Sequence, residues 1–373
     1  MKNKSLLTSS KGPIVTGIVV GVLAPLLVYL GNPTNMGICV ACFTRDLAGA
    51  LGFHRAAVVQ YIRPELIGMV LGSMVAAMIY KEFKPRSGSS PLIRFILGIC
   101  AMVGALVFLG CPWRALLRLA GGDWTAIMGI IGLITGIFVG MQFLKSGFSL
   151  GRNRVSATPV GLFMPMLAIA LLALLILAPQ FGRDATGNPV GPVFFSKEGP
   201  GSMYAPIIIA LAVGLIVGFL AQRTRFCTVG AIRDVMVTGE KRLLYGIISL
   251  VVFAFITNLI LGQFRPGFVG QPIAQPSGLA NFVGMLLSGL AFTLAGGCPG
   301  RQFFMSGEGD GDSSVFIMGM IAGAAISHNF NMAGGTKGPG IYSYLGIAVG
   351  LAICVLLGFF MKEKPSNKGA NSN

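Results

Sequence analysis

Ten apolar runs of 17 to 21 residues follow one another along the chain, at 13–30, 64–80, 92–110, 124–144, 159–179, 204–222, 243–262, 279–296, 314–330 and 341–361. Each approaches the roughly 20 residues that a helix needs to cross a bilayer. No long polar block remains between them to form a soluble domain. The pattern predicts an all-α polytopic membrane protein. The first run, Pro13 to Leu30, has no small-residue cleavage site behind it and is expected as a retained helix.

Composition sharpens this reading. Hydrophobic residues make up 54% of the 373 positions and charged residues only 11%, against about 25% charged in soluble domains. An ordinary cytosolic enzyme is excluded. The formal net charge is +16, but Lys and Arg sit in short loops rather than on one basic face, so nucleic acid is not an expected partner. Placing the N-terminus inside gathers Lys2, Lys4 and Lys11, then Lys81, Lys84, Arg86 and Arg94, then Lys145, Arg152 and Arg154, and finally Lys362, Lys364 and Lys368 on the cytoplasmic side. The 180–203 loop then lies outside, with Arg183 and Lys197 balanced by Asp184 and Glu198. The expected topology is multi-pass, N-in and C-in, in the bacterial inner membrane.

The chain also aligns with itself. Cys39-Val-Ala-Cys42-Phe-Thr-Arg45-Asp46 matches Cys227-Thr-Val-Gly-Ala-Ile-Arg233-Asp234, and Gly110-Cys111-Pro112-Trp113-Arg114 matches Gly297-Cys298-Pro299-Gly300-Arg301. Cys111 lies 72 residues after Cys39, and Cys298 lies 71 after Cys227. Gly122-Asp123 pairs with Gly309-Asp310, and Ile127-Met-Gly129 with Ile317-Met-Gly319 once a three-residue insertion is allowed. Each copy holds four runs with a single run, 159–179, between the copies, so the second copy is expected upside down. The predicted divisions are 1–158 (first repeat), 159–203 (linking helix and external loop), 204–340 (second, inverted repeat) and 341–373 (final helix and tail).

Inverted repeats recur in transporters, with a substrate site between broken helices near the midplane. Gly-Cys-Pro suits such a break, because Gly lets the chain bend and Pro removes a backbone donor. Irregular backbone at that depth must be surrounded by protein or line a cavity. Broken or re-entrant half-helices meeting near the midplane are therefore expected.

Cys39, Cys42, Cys111, Cys227 and Cys298 are the candidate substrate path. Thiols are weak S–H donors and soft ligands. With Arg45, Arg114, Arg233 and Arg301 nearby, they point to a soft chalcogen anion. Arg45-Asp46 and Arg233-Asp234 also have a plainer reading, as caps or pins of the repeat interface. Cys100 and Cys354 read as small buried hydrophobes, and His328 as a packed side chain. Asp123, Glu308, Asp310 and Asp312 are expected in loops, and Glu65 at the outer end of a span. His54 and His328 form no ligand-spaced cluster with Cys, so no metal or other cofactor is expected. No Gly-Lys-Ser/Thr nucleotide loop occurs. Cys39-x-x-Cys42 leaves open a quinone-linked thiol oxidoreductase, although Gly230 stands where a second Cys42 would be.

At these residues the chain resembles the YeeE/YedE sulfur and selenium transport family. The likeness runs through Met36-Gly-Ile-Cys39-Val-Ala-Cys42, Phe108-Leu-Gly-Cys111-Pro-Trp-Arg114, Arg225-Phe-Cys227 and Ala295-Gly-Gly-Cys298-Pro-Gly-Arg301. Gly37 to Asp46 and His54 to Pro64 look like the YedE-type selenium transporters. The resemblance implies an hourglass-shaped helical bundle and inward passage of the anion along Cys39, Cys111 and Cys298, with Cys227 as a symmetry-related fourth. It implies no catalysis, and it implies a small soluble sulfur carrier of the TusA type as acceptor. A selenium species is the first expectation for the cargo, and thiosulfate or another sulfur anion the alternative.

Overall fold

The computed structural model describes residues 6–177 and 193–362. Lys2, Lys4, Arg183, Asp184, Lys364 and Lys368 lie outside them. Fourteen α-helices occupy the described residues: α1 (Gly12–Tyr29), α2 (Val40–Ala50), α3 (Pro64–Ile79), α4 (Pro91–Phe108), α5 (Pro112–Ala120), α6 (Ala126–Lys145), α7 (Thr158–Leu177), α8 (Ile207–Thr224), α9 (Thr228–Thr238), α10 (Arg242–Ile260), α11 (Gly278–Ala295), α12 (Pro299–Gly307), α13 (Gly311–Asn329) and α14 (Ser343–Phe360). A helix stands at every predicted apolar run.

Among the described residues, eight helical stretches are long and apolar enough to cross a membrane, making this a multi-pass membrane protein. Three of the eight run from a long helix directly into a short one: Pro91–Ala120, Ile207–Thr238 and Gly278–Gly307. Helices α3 and α13 fall outside the eight. α3 has only 16 residues, and α13 is diluted by Asp312, Ser313, Ser314, Ser327 and His328. The outer surface carries large apolar side chains such as Phe138, Ile169, Ile260 and Phe360, as lipid contact requires.

The long helices pair across the sequence: α1 with α10, α3 with α8, α4 with α13, α6 with α11, and α4 with α11 at the centre. Glycine makes each contact close. A methyl group at Gly17 would overlap the carbonyl of Gly246, at Gly72 that of Leu215, at Gly98 that of Phe316 and at Gly136 that of Leu286. In lipid, where apolar burial drives little association, such backbone approach supplies the packing energy.

The basic loops share one end of the bundle. Two-residue strands β1 (Arg86–Ser87) and β2 (Arg154–Val155) pair there, and Ser149 donates its N–H to Met361 O. Arg86 meets Asp310 at 2.8 Å. Asp123 pairs correspondingly with Gly267 in a loop of the other half of the sequence. Gly122 and Gly309 both take left-handed backbone, at φ 93° and 97°, a conformation only glycine adopts without cost.

Candidate functional site

Four short helices surround the centre, with 11 residues in α2 and α9 and 9 in α5 and α12. At 1.5 Å per residue, these span roughly 14 to 17 Å, about half a bilayer core. Each has a cysteine as its N-cap: Cys39 for α2, Cys111 for α5, Cys227 for α9 and Cys298 for α12. In α5 and α12 a proline follows at the first helical position, where its missing N–H is no loss. The four thiols thus sit at the positive ends of four helix dipoles.

Sequence fixes this geometry locally. Cys39 Sγ accepts the N–H of Cys42 at 3.3 Å, and Cys227 Sγ that of Gly230 at 3.3 Å, so in each case the sulfur takes the place of a capping oxygen. The residue two before each cap is left-handed: Gly37 at φ 47° and Arg225 at φ 58°. A cheap glycine turn in one copy is therefore a strained arginine in the other.

The thiols fall into two sets. Cys39, Cys42 and Cys111 form the first, Cys111 lying beside Cys39 and the Ala41 backbone. Cys227 and Cys298 form the second, with sulfurs 3.6 Å apart and the Cys298 N–H directed at Cys227 Sγ, 3.5 Å away. All five are buried as free thiols. Trp113 of α5 bridges the sets. Its indole meets Phe226, which precedes Cys227, edge-on at 5.6 Å, and Phe304 of α12 at 5.9 Å. The short helices therefore do meet one another.

The arginines differ. Arg114 has no solvent exposure and donates to Asn35 O at 3.0 Å, Ile273 O at 2.7 Å and Cys42 Sγ at 3.1 Å. Among the described residues it pairs with no carboxylate. Arg301, its counterpart in the sequence alignment, is held by Glu308 at 3.3 Å, and Glu308 also holds Arg225 at 2.7 Å. Arg45 is occupied by Asp46 at 2.6 Å, and Arg63 clamps the other oxygen of Asp46 at 2.7 Å. That buried triad fits the pinning role. Arg233 and Asp234 pair at 2.8 Å on the partly exposed half of α9, and neither hydrogen-bonds a thiol.

Several charges expected in loops are more deeply embedded. Asp123 is buried in the α5–α6 turn against Arg118 at 2.7 Å. Glu308 caps α12, Asp310 caps α13 and Asp312 lies in the first turn of α13; all three are buried. Glu65, at the start of α3, accepts from Asn32 at 2.6 Å. His328 stacks on His54, ring centres 4.5 Å apart. Cys100 and Cys354 are buried beside each other, joining α4 to α14.

The sequence missed Arg63 as a partner of Asp46, Arg118 as a partner of Asp123 and Glu308 as the neutraliser of Arg301. Each is ordinary in its local sequence, and only the distant partner reveals its role. A small cavity of about 20 Å³, lined by Asn35, Gly37, Leu117, Asn258 and Gln263 among others, opens beside the backbone that receives Arg114. No group of three or more Cys, His, Asp or Glu side chains among the described residues could hold a metal ion. What the arrangement offers is hydrogen-bond donors and soft sulfur around one uncompensated cation.

Comparison with known proteins agrees in kind. The sulphur transport family matches residues 2–139 and 223–363, about three quarters of the chain. A match at 28% identity over 107 residues is to the thiosulfate transporter TsuA of Escherichia coli, covering 29% of this chain and 30% of that protein. An uncharacterized protein of Methanocaldococcus jannaschii is 32% identical over 94 residues, which is 22% of this chain and 90% of the archaeal one.

Proposed function

This chain belongs to the sulphur transport family, and from that premise we propose that it carries a small thiosulfate-like anion across the bacterial inner membrane. Arg114 draws the anion in. The thiols of Cys39, Cys42 and Cys111, then Cys227 and Cys298, receive it in turn by S–H hydrogen bonds. The observation that carries this reading is the wholly buried guanidinium of Arg114, which donates to the Cys42 thiol and, among the described residues, has no carboxylate beside it. A buried charge lacking a partner is costly, and an arriving anion removes the cost. The S–H group is a weak donor, so it competes poorly with water for a hard, strongly hydrated oxyanion and suits a weakly hydrated terminal sulfur or selenium better.

The match to TsuA favours thiosulfate over the selenium species expected from the sequence. The alignment spans less than a third of TsuA, so the cargo is part of the proposal. So are the N-in, C-in topology, which the shared end of the basic loops supports, and delivery to a TusA-like carrier. So too is the inverted repeat. It is supported by the helix pairings, because α1–α10 and α3–α8 exchange when the two sequence copies are swapped, as do α4–α13 and α6–α11.

Uptake of radiolabelled thiosulfate and selenite by proteoliposomes is the test. Wild-type protein should accumulate thiosulfate at least tenfold over empty vesicles, with Cys111→Ser and Cys298→Ser near background and Cys100→Ser unchanged. Accumulation of selenite alone would transfer the cargo to selenium. No accumulation of either would overturn the transport reading.

A further inference from the structure

Trp113 follows Cys111 by two residues and is 1% exposed. A Cβ placed on Gly300 would lie 3.5 Å from its Cζ2 and 3.6 Å from its Cε2. Nε1 is bonded to Cε2, so the edge of the ring that carries the N–H lies along the first turn of α12. Yet Nε1 is buried without an acceptor among the described residues. Buried tryptophans ordinarily find one. Thr228, the first residue of α9, is 2% exposed, and its Oγ1 is likewise buried and unpartnered. Thr228 adjoins Cys227, whose sulfur is 3.6 Å from that of Cys298; Cys298 in turn caps α12.

Two orphan donors therefore accompany two thiols at the start of two helices. Buried orphans of this kind in a native structure call for an explanation. α12 adds the backbone N–H of Gly300 in its first turn, since Pro299 has none and that of Arg301 meets the Cys298 thiol. Gly300 adds no side chain of its own to that turn, which leaves room for the Trp113 and Phe304 rings. The counterpart of Gly300 in the alignment is Trp113 itself, so the bulk that one copy lacks is supplied by the other. Such a donor set suits an anion with oxygens at one end and a soft atom at the other.

We propose that Trp113 and Thr228 are the specificity-determining donors of a central anion subsite between Cys111 and the Cys227–Cys298 pair. Indole N–H and threonine O–H hold the oxygens of a thiosulfate-like anion while its terminal sulfur faces the thiols. The subsite rests on the transport reading above and goes beyond it by naming what distinguishes thiosulfate from a spherical anion.

The chain has two tryptophans, and Trp124 is the exposed one. In the Trp124→Phe protein, Trp113 is the sole indole reporter. Its emission should shift saturably with thiosulfate and not with chloride, and Thr228→Val should raise the midpoint at least tenfold. In proteoliposomes Trp113→Phe, which keeps a ring and loses the N–H, should raise KM for thiosulfate at least tenfold while changing kcat less than threefold. Normal thiosulfate transport with either a silent Trp113 or a Thr228→Val midpoint equal to wild type would overturn the subsite alone. Transport of selenite without thiosulfate would overturn the subsite's thiosulfate assignment, and absence of transport of either anion by the wild type would overturn the transport reading and the subsite together. Comparing the melting of each variant with wild type separates loss of the donor from loss of the fold.

Discussion

Replacing Arg114 with Gln removes the buried cation that meets the Cys42 thiol and, among the described residues, no carboxylate, and its consequences divide into two separately measurable parts. The first is stability. Arg114 donates to the backbone oxygens of Asn35 and Ile273. Stranding two half-buried acceptors costs at most about 1–3 kcal/mol each, so Arg114→Gln should lower unfolding stability by up to roughly 2–6 kcal/mol where the amide reaches neither. The second is cargo binding. A hydrogen bond to a charged group is worth about 1.5–3 kcal/mol, so KM for thiosulfate should rise roughly 10- to 150-fold. Arg114→Lys retains the charge and loses the planar fork. It should share much of the stability loss yet keep a KM closer to wild type than Gln does. The assay is thiosulfate uptake against concentration in proteoliposomes, normalised to folded protein, beside melting in detergent. A wild-type KM in Arg114→Gln would refute the role of the cation. A KM equally raised in Lys and Gln would refute charge as its cause.

Two further outcomes follow from packing and pairing. Asp46→Asn leaves Arg45 and Arg63 buried without their shared carboxylate and should cost about 3–5 kcal/mol; the half-exposed Asp234→Asn should cost about 0–1 kcal/mol, and equal melting shifts would contradict this ranking. Gly72→Ala sets a methyl against the Leu215 backbone and should sharply reduce the folded yield, whereas Gly278→Ala, which meets only the flexible Met128 side chain, should be tolerated; indistinguishable chromatographic profiles would show that α3 can retreat from α8.

The helices were legible because lipid forces apolar runs of a fixed length, and the Gly-Cys-Pro motifs were legible because a helix break needs special backbone chemistry. Arg45-Asp46 could also be read as a pin, since its partners are adjacent. What the sequence could not display was pairing at a distance. The carbonyls that hold Arg114 belong to residues 79 and 159 positions away, so its lack of a carboxylate had no local sign. Glu308 looked like a loop charge, yet it neutralises Arg301 and Arg225 together. The alignment of Trp113 with Gly300 stood in the sequence as a mismatch between otherwise matching motifs. Only the meeting of α5 with α12 turns that mismatch into a contact. Cys100 and Cys354 lack counterparts in the alignment, and their proximity depends on where α14 packs.

The long-range pairing of the helices also bears on how the protein is made. α3 ends at Ile79 and its glycine-lined partner α8 begins at Ile207, about 130 residues later in synthesis. At roughly 5–20 residues per second, the ribosome takes about 6 to 25 s to cover that interval. Through that interval the small-residue face of α3 is inserted with lipid or the insertion machinery against it, and α1 waits longer still for α10. Biogenesis of this chain is therefore a process of holding early helices in readiness, and slowed elongation between residues 80 and 207 should lower the yield of assembled protein without altering a single contact in its final form.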